Sequence, residues 1–130
     1  MQKIVLSQLN KKILRDHAIK EQPNESCAIL FGKENQILDI FITKNIEESP
    51  TTFTISSEQL IKAYNIAEKK DMEIIGIFHS HPTSDAYPSN TDRKFMLSNP
   101  VTWIIYSCIK NEFRAYFLNS SLIEIPIYEK

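Results

Sequence analysis

The chain has 130 residues, of which 42% are apolar and 24% charged, with 15 lysines and arginines against 16 aspartates and glutamates. That length and mix suit one globular domain over residues 1–130, able to bury roughly two-thirds of the surface its unfolded form exposes, and exclude a disordered tail. A net charge of -1 leaves no footprint for nucleic acid, whose binding rests on neutralised phosphates, and no apolar run nears the ~18 residues of a membrane span.

The chain opens with MQKIVLSQLNKKIL, in which Lys3, Gln8, Asn10, Lys11 and Lys12 interrupt any secretory signal. With two cysteines and no disulfide framework to build, the expected address is the cytoplasm. A short strand from Gln2 to Leu6 leads into a helix from Ser7 to about Glu21, with Leu9, Ile13 and Leu14 as its apolar stripe. His17 on that helix reads as a surface or boundary residue. After the breaker QPN, SCAILFGKENQILDIFITKNI reads as two strands joined by a polar turn at Lys33 to Gln36. The segment EESPTTFTI, residues 47–55, is either an exposed strand edge or a connecting loop. Ser56 and Gln59 then form a capping box, with Ile55 and Leu60 as a hydrophobic staple, for a helix to about Lys70.

MEIIGIFHSH follows as a strand whose continuous apolar run predicts burial on both faces and a central place in a sheet. Loop 82–88, a short helix from Ser89 to about Ser98 and a meander of strands at 102–109, 113–119 and 122–128 complete the chain. The order β-α-β-β-α-β-α-β-β-β predicts a mixed α/β domain with one central sheet flanked by helices. Trp103, Tyr106, Phe113, Tyr116 and Phe117 read as sheet residues, because no basic stripe accompanies them as a base-stacking platform requires.

Chemistry gathers at FHSHPTSDAYPSNTD, residues 78–92. Strand alternation puts Ile75, Ile77, His79 and His81 on one face, and Pro82 ends the strand. Asp92 lies eleven residues after His81, and a loop of that length can return a carboxylate to the two imidazoles. Two histidines and a carboxylate form a zinc set that leaves a position for water. The bland alternative stays open: Ser89 and Asp92 form an S-x-x-D capping box, and the histidines are satisfied core residues. Glu25, just before an apolar strand, is either a solvated strand entrance or the general base that a zinc hydrolase needs.

Glu25, the run His79-Ser80-His81-Pro82, Ser89 and Asp92 together resemble the JAMM (MPN-plus) metalloprotease signature: a glutamate, then H-[ST]-H-P, six residues, S, two residues, D. The spacing matches throughout. One departure is Ala28, where many members carry glycine. The resemblance implies a JAMM/MPN-type, cytidine-deaminase-like fold, with His79, His81 and Asp92 as ligands of one Zn2+ per chain. It implies Glu25 as the base that deprotonates the attacking water, and Ser89 as a hydrogen-bonding partner of that water or of the oxyanion.

The implied substrate is the amide bond at the C-terminal tail of a ubiquitin-like modifier, cut by a stand-alone enzyme of the short prokaryotic branch. The rivals are a peptidase releasing cysteine or another group from a sulfur-carrier protein, and a non-catalytic MPN scaffold. A structural zinc site of Cys27, Cys108, His79 and His81 is a further alternative, although its spacing matches no zinc-finger pattern and both cysteines read more simply as buried strand residues.

Overall fold

A computed structural model describes residues 3–130, so the first two residues of the chain, including Gln2 of the predicted opening strand, lie outside the described residues. The elements are β1 (Ile4–Val5), α1 (Gln8–Glu21), β2 (Cys27–Lys33), β3 (Gln36–Thr43), α2 (Ser57–Lys69), β4 (Glu73–His81), α3 (Asn90–Ser98), β5 (Thr102–Ser107), β6 (Glu112–Leu118), β7 (Leu122–Ile125) and β8 (Ile127–Tyr128). The strands form one mixed sheet in the order β7-β6-β5-β4-β2-β3-β1-β8. The apolar strand β4 is central, antiparallel to β2 and parallel to β5.

Side chains alternate between two cores, as the pleat requires. Ala28 and Leu30 of β2, Phe78 of β4, and Ile104 and Tyr106 of β5 face α1, where Leu14 and Ala18 are buried. On the opposite face, Ile29 and Phe31 pack on Ala63 and Ala67 of α2. Beside them Cys27, Ile77, Trp103 and Ile105 pack on Met96 of α3.

Four readings of the sequence change here. Leu9 is 68% exposed and Ile13 is 38% exposed, so the inner face of α1 runs through Leu14 and Ala18. Lys11 and Arg15 extend from α1 over the Phe113 ring, covering apolar surface with their aliphatic stems. Ile75 does not share the face of Ile77 and His79. A bulge between β2 and β4, where Leu30 pairs with Gly76 and Phe31 with Ile74, turns Ile75 into the α1 core. The capping box of α2 is half made: Ser56 Oγ accepts the Gln59 amide, while the Gln59 side chain goes to both backbone groups of Lys44.

The last predicted strand is two strands. Pro126 has no N–H for the ladder, and β8 leaves β7 to pair in parallel with β1. The ends of the strand order are thus one residue apart in sequence, and Ile4 of β1 and Ile125 of β7 meet in the core around α1. The sheet curls around that helix. Gly32 sits at a tight point of the curl, where a Cβ would lie 1.8 Å from the Gln36 carbonyl oxygen.

Candidate metal centre

The C-terminal end of β4 presents His79 and His81 toward α3, both buried. The loop after Pro82 is tied down by three consecutive carbonyls. Ser107 Oγ donates to Ser84 O at 2.7 Å, His81 Nδ1 to Asp85 O at 2.7 Å and Tyr116 Oη to Ala86 O at 2.8 Å. This course sets Ser89 as the N-cap of α3. Its Oγ accepts the Asp92 amide at 3.0 Å, and Asp92 Oδ2 accepts the Ser89 amide at 2.9 Å. The capping box is therefore complete, and it aims Asp92 at the histidines.

Asp92 Oδ2 lies 3.1 Å from His79 Nε2 and 3.1 Å from His81 Nε2, and the two nitrogens are 3.1 Å apart. Three such atoms repel unless a proton or a cation lies among them. Neutral His81 brings no proton, because its own is committed at Nδ1 to Asp85 O. His79 Nδ1 has no hydrogen-bond partner, so a neutral His79 can carry its proton on Nε2 toward Asp92 when no cation is bound. Two imidazole nitrogens and a carboxylate oxygen are donors that suit a divalent cation of the zinc type, so the residues fit the metal that the motif implies. His79 stacks on Phe53 with ring centroids 4.7 Å apart and meets the edge of Trp103 at 5.8 Å. Complete burial lowers the His79 pKa, favouring the neutral imidazole, the form that can bind a metal. Burial alone would raise Asp92, but attraction to His79 and hydrogen bonds from both imidazoles and the Ser89 amide hold it well below the usual carboxylate range.

Glu25 is 3% exposed and its Oε1 has no hydrogen-bond partner. Burial pushes its pKa to about 8, with His81 pulling it down and Asp92 and Glu47 adding to the rise. Its backbone precedes β2: the amide donates to Ser49 O at 2.8 Å, and the carbonyl accepts from Asn45 Nδ2 at 3.1 Å. The next residue is locked to the histidine strand, since Ser26 N and Oγ both bond Ser80 Oγ, at 2.9 and 2.8 Å.

The structure thus brings His79, His81 and Asp92 together, puts Glu25 within electrostatic reach of His81 and Asp92, and leaves Ser89 as an exposed cap. It does not assemble the cysteine alternative. Cys27 faces the α3 side and is bonded by Thr43 Oγ1 at 3.1 Å, whereas Cys108 packs against the α1 core. His17 is half-buried with its Nε2 3.0 Å from Cys27 O. Residues 47–55 contain no strand. Sequence reading missed Asn45, Phe53 and the Asp85 carbonyl. A buried amide, a ring stacked on a histidine and a backbone acceptor carry no spacing signature, so their places appear only when the loops close.

Residues 9–119 match the family model described as prokaryotic homologs of the JAB domain. The chain is 39% identical over 95 residues to the desampylase of Pyrococcus furiosus, covering 73% of this chain and 67% of that protein. It is 30% identical over 118 residues to the CysO-cysteine peptidase of Mycobacterium tuberculosis, covering 85% and 80%. Among solved structures, a protein from Desulfitobacterium hafniense superposes with a TM-score of 0.90 at 23% identity, covering 98% of this chain and 92% of that one. A JAB1/MPN domain protein from Archaeoglobus fulgidus gives 0.64 at 18% identity, covering 97% of each. These two structural likenesses concern the fold alone.

Proposed function

The chain belongs to the family of prokaryotic homologues of the JAB domain, in which its named relatives include peptidases, and from that premise we propose that this hydrolase is a zinc-dependent peptidase acting on the C-terminal tail of a small ubiquitin-like modifier or sulfur-carrier protein. The observation that carries the reading is the convergence of His79 Nε2, His81 Nε2 and Asp92 Oδ2 within 4.8 Å of one another, beside the buried and unpartnered Glu25 Oε1.

In this reading His79, His81 and Asp92 hold one zinc ion per chain. Zinc, when bound, supplies Lewis acidity toward the scissile carbonyl and lowers the pKa of water. Glu25 takes a proton from the attacking water and passes it to the leaving amine, a shuttle for which a carboxylate poised near neutral pH is suited. Ser89 Oγ accepts the Asp92 amide, which leaves its hydroxyl proton to donate to the developing oxyanion. A non-catalytic scaffold gives no use for Glu25, whose burial as a carboxylate is costly.

The tail would lie along residues 52–55. Thr54 N donates to Asn45 Oδ1 and its carbonyl accepts from Ile46, while among the described residues none hydrogen-bonds the backbone of Phe53 or Ile55. That alternation is what an added strand requires. Next to it Phe53, Ile55, Leu60, Ile77, Phe95 and Trp103 line a cavity of about 170 Å³, suited to an apolar side chain of the tail. The relatives named above act as a desampylase and as a CysO-cysteine peptidase, and both substrate classes are proposals for this chain. The free thiols of Cys27 and Cys108 suit the reducing cytoplasm. Among the described residues, no helix is long and apolar enough to cross a membrane.

The test is to incubate zinc-loaded protein with linear and isopeptide-linked fusions of modifier and sulfur-carrier proteins and to locate any cut by mass spectrometry. Cleavage directly after the tail, abolished by a chelator and restored by zinc, is expected; no cleavage across the panel would sink the reading.

A further inference from the structure

Asn45 is buried, at 4% exposure, and its side-chain amide makes every hydrogen bond open to it. Nδ2 donates to Glu25 O at 3.1 Å and to Thr52 O at 3.0 Å. Oδ1 accepts from Glu47 N at 3.1 Å and from Thr54 N at 3.1 Å. Two carbonyls on one side and two amides on the other fix the orientation of the group, since the flipped amide would face donor to donor and acceptor to acceptor. Few side chains meet this demand. Aspartate has no donor, serine is too short to span the four partners, and glutamine is a methylene too long for the same closed pocket.

What this amide joins is the informative part. Glu25 stands ahead of β2, outside the ladder, and both of its backbone polar groups are held by the 44–52 loop, through Ser49 O and Asn45 Nδ2. Thr52 and Thr54 flank Phe53, which stacks on His79. One residue therefore ties the backbone of the base to the strip along which an extended tail would add.

We propose that Asn45 is a positioning residue that couples Glu25 to the 52–55 strip, so that one amide places the base through Glu25 O and holds the strip through Thr52 O and Thr54 N. This rests on the peptidase reading above for its catalytic consequence, but not for its structural one. Asn45 touches neither substrate nor the ligand atoms; it acts through the Glu25 and Thr52–Thr54 backbone.

The test compares the parent with Asn45→Ala, which removes both donors and both acceptors, including the acceptor of the Thr54 amide. Amide hydrogen exchange by NMR on the zinc-loaded proteins should show loss of protection at Glu25 and Thr54 together, with the β4 amides unchanged. At equal zinc content, kcat should fall roughly 10- to 100-fold, as a displaced base demands, and KM should rise as the strip loosens. If Asn45→Ala does not fold, Asn45→Ser carries the same comparison. Retained protection at Glu25 or Thr54, uniform loss of protection across the sheet, or kcat within twofold of the parent would each overturn the proposal. A parent that cleaves nothing counts against the peptidase reading instead, and the exchange data then decide the coupling by themselves.

Discussion

Glu25 carries its carboxyl in a place that disfavours the charge, and this has a consequence for stability as well as for catalysis. Burial sets its pKa near 8 in place of 4.5. A carboxyl raised in this way stabilises the fold fully below its unfolded pKa, and the contribution is lost as the pH climbs through the folded value. At 1.36 kcal/mol per unit, the metal-free protein should lose a few kcal/mol between about pH 4.5 and pH 8. Glu25→Gln has no charge to bury and escapes that loss. Urea unfolding in the presence of chelator should show the variant gaining on the parent by about 2–4 kcal/mol from about pH 4 to about pH 8.5. A gap that does not change with pH would mean that the carboxyl ionises normally in the folded protein. Motif spacing made this residue visible, along with His79, His81 and Asp92. Asn45 stayed hidden because an asparagine before a polar loop looks like any turn residue until its four partners close around it.

At the scale of elements, the short helix α3 does two jobs with one pair of residues. Ser89 and Asp92 cap the helix reciprocally, and the same Asp92 Oδ2 faces both imidazoles, so the capping reading of S-x-x-D holds and leaves the carboxylate where the proposed metal set needs it. Ser89→Ala should cost about 1 kcal/mol of stability through the lost cap, measured by urea unfolding. If its hydroxyl also donates to the oxyanion, kcat should fall roughly 10²- to 10³-fold at unchanged zinc content; a normal kcat would leave Ser89 as a cap alone. Element types and most boundaries were legible because capping residues, breakers and apolar runs act locally. The Leu9 and Ile13 stripe and the face of Ile75 were misread for non-local reasons. Aliphatic stems of Lys11 and Arg15 serve the inner side of α1, and the bulge against β2 rotates the strand at Ile75. Neither leaves a mark on apolar periodicity.

The whole molecule is a sheet curled around α1 and pinned where Pro126 passes the chain from β7 to β8. Glu129 adds bonds from beyond β8 to Gln8 and Lys11 of α1. Ending the chain after Ile125 should uncover the β1 edge and lower the Tm by about 5 °C or more, while zinc stoichiometry holds, because the proposed ligands lie on β4 and α3. Loss of zinc with the last residues would mean that the curl, and not the local capping box, sets the site. Sequence could not show this curl, since two residues at each of β1 and β8 are too short to signal their pairing across the chain. The account as a whole turns on His79, His81 and Asp92 holding a catalytic zinc with Glu25 as base. The most direct test is metal analysis in parallel with turnover for the parent and Glu25→Gln. One zinc per chain in both, with hydrolysis of a modifier fusion in the parent alone, is the predicted result; a zinc-free parent after supplementation, or undiminished hydrolysis by Glu25→Gln, would contradict it.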